Sequence, residues 1–209
     1  MLERDLGRVI EVFADVRCPF TNVGLRRLAA LRDERGIDAP LLIRAWPLEW
    51  VNDAPLDVDH IAEEIDALRE DISPEMFTGF DRSTFAPTSI PALSLTAAAY
   101  EIGPRVGERV AFELRTAQFE RGLDIATPAV LLDVAASVGM SLPVRGGRDV
   151  VEADWHEGRR RGVIGLPHFF IGERDFFCPT LDISRVDGRF HIAFDRSAFE
   201  TFASLALAA

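Results

Sequence analysis

Two side chains in this sequence can form covalent bonds through sulfur, Cys18 and Cys178, and the surroundings of the first suggest reactivity. Val9, Ile10, Val12 and Phe13 form a short β-branched and aromatic run, which predicts a central strand of about five residues. Pro19 then falls where a helix begins, because its fixed φ and missing N–H do no harm at a first helical position. Cys18 is therefore expected at a helix N-terminus, where free N–H groups and the positive end of the macrodipole favour a thiolate. Arg17 adds a neighbouring cation, and thiols in such settings fall from about 8.5 into a range of about 3.5 to 7.5. A cysteine without these neighbours is more often a small buried hydrophobe. Thr21 is equally informative. A dithiol site would carry a second cysteine there, so Cys18-Pro19-Phe20-Thr21 rules out a local CxxC disulfide, while the Thr21 hydroxyl can still donate to a thiolate.

The elements that must hold this site follow from periodicity. Val23, Leu25, Leu28, Ala29 and Leu31 give the helix after Pro19 an apolar stripe; Arg26, Arg27, Arg32 and Arg35 give it a wet face, and Gly36 stops it. Leu41 to Trp46 reads as a second buried strand, parallel to the first across the helix. From 51 to 143 helical spacing dominates, with helices predicted near Ile61 to Leu68, Pro91 to Tyr100, Val106 to Arg121 and Ala129 to Val138. A further helix over Asp149 to Arg161 leads to Gly162-Val163-Ile164-Gly165. Two aromatic runs, Leu166 to Ile171 and Asp175 to Cys178, then read as a hairpin turned at Gly172 to Arg174. Asp187-Gly188 marks another turn, and Ser197 to Leu207 reads as a closing helix capped by Asp195 or Ser197. The expected organisation is an α/β frame of residues 1–50 and 144–209 carrying a helical insertion of residues 51–143.

Bulk properties narrow the partners. At 209 residues with 48% hydrophobic content the chain suits one core with an insertion. A net charge of −11 with scattered basic residues argues against nucleic acid or an anionic membrane. All 23 basic residues are Arg, which carries no functional weight. The start of the chain lacks the pattern of a secretory signal, and no apolar run reaches the ~18 residues of a membrane span, so a cytoplasmic protein is expected. Two cysteines are too few for a disulfide framework, and His60, His156, His168 and His191 show no metal-ligand spacing.

Three motifs in this order resemble the thioredoxin fold with the DsbA-type helical insertion, and within it the FrnE-like branch. Asp15-Val16-Arg17-Cys18-Pro19-Phe20 with Gly24 is similar to that branch's SDxxCPWCxxG. Phe119-Glu120-Arg121-Gly122-Leu123-Asp124-Ile125 is similar to its FxxGxDI, and Gly162-Val163-Ile164-Gly165-Leu166-Pro167 to its GVxGVP. The resemblance implies thiol–disulfide chemistry at Cys18 beside a cis bond at Leu166-Pro167. There the Leu166 backbone would pair with an extended substrate, flanked by Pro19 and Phe20. It also implies that Glu11, on the first strand, helps proton transfer, and that Cys178 returns beside Pro167, where it is a candidate resolving thiol in place of Thr21. His168, after the proline, either approaches the thiolate as a cation or points away into the sheet.

These readings predict a thiol–disulfide oxidoreductase acting through a mixed disulfide at Cys18 on a protein or small-molecule disulfide. No tightly bound cofactor is expected; a low-molecular-weight thiol is the candidate co-substrate, and a homodimer is compatible with the chain. One alternative is a glutathione-type transferase or isomerase, as in the related kappa-type transferases and 2-hydroxychromene-2-carboxylate isomerases, with Trp46, Trp50, Phe77, Phe80 and Phe85 lining its site or simply packing the insertion on the sheet. A non-catalytic binding module of the same fold is the other.

Overall fold

The computed structural model describes residues 10–141 and 147–208; the expected strand start at Val9 and the expected boundary at 143/144 lie outside them. Strand β1 (Ile10–Ala14) leads through helix α1 (Pro19–Glu34) to strand β2 (Leu41–Ala45), paired parallel with β1 from Ile10 opposite Leu41 to Ala14 opposite Ala45. Pro19 occupies the first turn of α1, and Gly36, at φ +64, takes the left-handed turn beyond its end. Helices α2 (Leu48–Val51), α3 (Val58–Asp71), α4 (Ile90–Ile102), α5 (Pro104–Phe119) and α6 (Pro128–Ser137) follow, with a 3-10 turn at Arg82–Thr84. Helix α7 (Gly147–Arg161) returns the chain to the sheet. The hairpin β3 (His168–Ile171) and β4 (Arg174–Phe177), a second hairpin β5 (Leu181–Val186) and β6 (Arg189–Phe194), and helix α8 (Arg196–Ala206) complete it. Asp195 caps α8 by accepting from the Ala198 N–H.

The main sheet has the order β2-β1-β3-β4, with β3 antiparallel to both neighbours, while β5 and β6 form their own two-stranded sheet. Alternation along the strands sets its two faces. Ile10, Val12, Ala14, Phe169 and Ile171 pack on Leu25 and Leu28 of α1 and on Phe199 and Phe202 of α8. Phe13 and Phe170 face the other way, onto Trp46 and Trp155 of α7. Close approach of α7 depends on Gly158, where a Cβ would lie 2.4 Å from the Trp46 ring.

An edge strand leaves alternate N–H groups unpaired, and here side chains from other elements take all three on β2. Leu41 N–H donates to Glu108, Ile43 N–H to the Tyr100 hydroxyl and Ala45 N–H to Asp154, at 3.3, 2.9 and 2.9 Å. Tyr100 donates in turn to the Leu41 carbonyl at 2.7 Å. The helical block is thereby fastened to the sheet beside the Cys18 loop. The aromatic residues proposed above as a site lining pack in pairs: Trp46 and Trp50 against Trp155 of α7, and, within the helical block, Phe77 against Phe119 and Phe80 against Phe85.

Candidate active site

The loop before α1 is built around Asp15, which is fully buried. Its carboxylate accepts the N–H groups of Arg17 and Leu48, both at 2.8 Å, and the Ser89 hydroxyl at 3.0 Å. Its carbonyl accepts the Cys18 N–H and the Arg115 Nη2, each at 3.3 Å. Asp15 thus starts α2, explaining a short helix that periodicity does not reveal, and holds Cys18 as the N-cap of α1 at φ −78, ψ 116. The Cys18 carbonyl accepts the Asn22 N–H at 3.2 Å, closing the first turn.

The acidified thiolate expected from the helix start is corrected by burial. Cys18 is 5% exposed among Phe13, Trp46, Leu166 and Phe170. Loss of solvent, aided by the charge of Glu64, pushes its thiol up to about 12. The hydroxyl and N–H of Thr21 act in the opposite sense, but the hydroxyl closes no hydrogen bond of ordinary geometry. Arg17 supplies no cation here. Its guanidinium turns into the helical block, to Glu49 at 3.0 Å and the carbonyls of Ala86 and Pro87 at 3.3 and 3.1 Å. The cation that senses the sulfur is Arg115 of α5, fully buried, with burial pulling it down to about 10 and the charges of Asp15 and Cys18 resisting that pull.

The Leu166–Pro167 bond is cis, and Pro167 lies against α1 at Gly24, where a Cβ would stand 3.3 Å from the ring and 3.4 Å from the Thr180 hydroxyl. Leu166 packs in the same cluster as Cys18. Phe20 touches both this cluster and the one containing Cys178. Cys178 donates its N–H to the Pro167 carbonyl at 2.8 Å, so it does return to the level of the proline. It is a free, buried thiol, pushed up to about 11 by burial.

His168 and Glu11 lie on the other face of the sheet from α1. His168 is 2% exposed, stacked on Phe170, with Nε2 2.9 Å from Asp175 and Nδ1 accepting the Ile164 N–H at 3.4 Å. Both ring nitrogens are engaged, which suits a neutral Nε2–H tautomer and leaves neither nitrogen for the thiol. Glu11 accepts from Arg44 at 2.7 and 3.0 Å and from Arg161 at 2.6 Å. Burial would raise its carboxyl, but these hydrogen bonds outweigh it and hold the group below the ordinary value. A carboxylate so held is poorly suited to the proton transfer expected of it.

Two residues escaped the sequence reading, although the signal was present. Glu64 falls at the i+3 place of the stripe Ile61, Ile65, Leu68, and Arg115 at the i+4 place of Ala111 beside Leu114; both are charges next to buried apolar positions of their helices. Among the described residues no group of three or more His, Cys, Asp or Glu is arranged to hold a metal, and no helix is long and apolar enough to cross a membrane.

A parallel β1-α1-β2 unit, an antiparallel hairpin and a closing helix, with a cysteine at the start of α1 beside a cis proline, define a thioredoxin-type domain with a helical insertion. The family model of the DSBA-like thioredoxin domain matches residues 9–191, and the chain belongs to that family. Solved structures with the same fold include the cytosolic disulfide reductase DsbM from Pseudomonas aeruginosa, at 17% identity and TM-score 0.60, covering 95% of this chain and 92% of that one. That reductase is also solved with GSH. A 2-hydroxychromene-2-carboxylate isomerase matches at 14% identity and TM-score 0.60, over 81% of this chain and 88% of that one. The catalytic domain of Proteus mirabilis ScsC matches at 16% and 0.54, over 100% and 88%. No curated protein matches the chain by sequence.

Proposed function

We propose that this protein is a thiol–disulfide oxidoreductase that works through one nucleophile, Cys18, with a low-molecular-weight thiol as co-substrate. The observation that carries this reading is the pairing of Cys18 at the N-cap of α1 with Thr21 one turn later. The nucleophile has the place it needs for attack, and the position of a local resolving thiol holds a hydroxyl. In the first step the Cys18 sulfur attacks a disulfide, forming a mixed disulfide and releasing one half as a thiol. In the second step a thiol from solution attacks that mixed disulfide, frees Cys18 and leaves as part of a new disulfide. Pro19, Phe20 and Leu166 border the sulfur, and Pro167 closes the loop beside it. Cys178 is the candidate intramolecular alternative to the second thiol. The reducing cytosol suits a cycle that draws on a pool of small thiols, and the DsbM structure with GSH supports that choice of co-substrate.

The test is intact-mass analysis of the protein after exposure to glutathione disulfide, followed by turnover with added glutathione. One glutathione adduct on the Cys18 peptide and its release by free thiol are expected, with both lost in Cys18→Ser. Full turnover by that variant would overturn the proposal.

A further inference from the structure

The Cys18 sulfur has walls of two kinds. Phe13 and Phe170 stand on strands of the main sheet, and Trp46 is tied to β1 by its N–H, which donates to the Ala14 carbonyl at 3.0 Å. Val163 and Leu166, which close the same cluster, belong instead to the irregular segment between α7 and β3. That segment is anchored at both ends. Val163 N–H donates to the Gly158 carbonyl of α7 at 2.9 Å, and the Pro167 carbonyl accepts the Cys178 N–H at 2.8 Å. Between these anchors, among the described residues, the backbone of residues 164–166 makes a single hydrogen bond, from the Ile164 N–H to His168 Nδ1 at 3.4 Å. The Ile164 side chain is 76% exposed, so packing does not hold it. Gly165 rests on the Phe177 ring, where a Cβ would stand 2.6 Å away.

The His168 ring is well placed to hold this segment. It is buried at the first position of β3, stacked on Phe170 with centroids 4.9 Å apart and edged by Phe177 at 6.1 Å. Its Nε2 lies 2.9 Å from the Asp175 carboxylate of β4, which can only accept, so the ring proton sits on Nε2 and the Nδ1 lone pair is left for the Ile164 N–H. The stack fixes the plane of the ring, and Asp175 fixes its tautomer. We propose that residues 163–166 are a movable wall over Cys18 and that His168, oriented by Asp175, is the positioning residue that holds the wall shut. The inference rests on the function proposed above: a disulfide reaches a sulfur that is 5% exposed only when a wall shifts. Release of the Ile164 N–H lets Leu166 swing away. Moving the strand residues would break up a four-stranded sheet, whereas moving this segment breaks one long hydrogen bond.

Two measurements on the unmodified protein and one pair of variants test this. Nitrogen NMR of the His168 ring should show Nε2 protonated and Nδ1 bare. The Ile164 amide should exchange at least about tenfold more slowly than in an unstructured peptide, despite its exposed side chain. A ring protonated on Nδ1, or an Ile164 amide exchanging at the peptide rate, would overturn the proposal. His168→Phe keeps a planar ring for the Phe170 stack and deletes the acceptor, while His168→Asn places an oxygen near the Nδ1 position and retains it. His168→Phe is expected to raise the rate of Cys18 alkylation by iodoacetamide at pH ~8 about tenfold, as water returns to the sulfur, and to remove the protection at Ile164. His168→Asn should stay within about threefold of the unmodified protein in both readings. Equal effects of the two variants would mean that the imidazole only fills space, and unchanged alkylation in folded His168→Phe would mean that the wall moves without it; either result overturns the assignment. The oxidoreductase reading fails separately. If His168→Phe alkylates faster at Cys18, yet neither it nor the unmodified protein forms a mixed disulfide with glutathione disulfide, the wall and its latch stand while the proposed reaction falls.

Discussion

The resting state of Cys18 can be tested through both reactivity and stability. Burial pushes the thiol from its ordinary 9.0 to about 12, three orders of magnitude in proton affinity. At pH 8 the thiolate population should be about 1000-fold smaller than that of a free cysteine, and alkylation slower by at least about tenfold, since the more basic thiolate is the stronger nucleophile. The stability consequence has a definite sign. A thiol held neutral by the fold contributes fully below about pH 9, where the unfolded chain is also protonated. That contribution is lost as pH rises from 9 towards 12, because the unfolded chain ionises first. The slope is about 1.4 kcal/mol per pH unit, so about 2 kcal/mol should be gone at pH ~10.5. Urea unfolding of the unmodified protein and of Cys18→Ser at pH ~8 and ~10.5 isolates this term, since the serine variant lacks the ionisation and should lose that much less. Iodoacetamide kinetics on folded and unfolded protein supply the second reading. An alkylation midpoint at or below 9 in the folded protein would show that the helix N-terminus outweighs burial, and would refute the reasoning.

Other expectations rest on single contacts. Glu11→Gln removes the carboxylate between Arg44 and Arg161 and should cost about 1–3 kcal/mol in urea unfolding; the exchange rate at Cys18 should stay within about threefold, and a large loss of rate would restore Glu11 to the chemistry. Gly158→Ala gains about 1 kcal/mol of helix propensity but drives a methyl into the Trp46 ring at a cost of about 1–3 kcal/mol, so a melting temperature unchanged or lowered is expected, and a clear rise would mean that α7 has room to move. Glu64→Gln should stabilise the fold on the order of 1–3 kcal/mol at pH ~8.5 and leave it unchanged near pH ~4, because a carboxyl raised from 4.5 to about 8 weakens the folded state only once pH climbs past 4.5; equal effects at both pH values would assign the change to packing.

Elements with a strong local signal were legible in the sequence. The β1-α1-β2 unit, Pro19 at the helix start, Gly36 at its end and four helices of the insertion follow from periodicity and caps. Helix α2 was not legible, because four residues offer no period; it exists because Asp15, more than thirty positions earlier, accepts the Leu48 N–H. The pairing of β5 with β6 into a separate sheet was equally hidden, since the Asp187-Gly188 turn announces a hairpin but not what it packs against. At the site, the position of Cys18 was readable and its ionisation was not. Helix dipole and sequence neighbours are local, whereas desolvation depends on Trp46, Leu166 and Phe170, which arrive from two other segments, the end of β2 and the run from the cis-proline loop into β3. Arg17 misled for the same reason: adjacency in sequence places its backbone beside Cys18, but Glu49 and the carbonyls of Ala86 and Pro87 decide where its charge goes.

The insertion therefore does more than cover the sheet. The thioredoxin-type frame supplies Cys18, the cis proline and an apolar wall, and burial against that wall disfavours a thiolate. Beyond Thr21, polar groups that fix the Cys18 loop come from the helical block: Ser89 holds Asp15, and Arg115 shares the Asp15 carbonyl with the Cys18 N–H. Two chains of this family with the same Cys-Pro loop can then differ in thiol reactivity without differing at the loop, through the charges that their insertions turn inward. Exchanging Arg115 for Met makes this concrete. With the buried cation gone, Cys18 should alkylate still more slowly at pH ~8 while α1 keeps its start, and a rate left unchanged in a folded Arg115→Met variant would return control of the thiol to the frame alone.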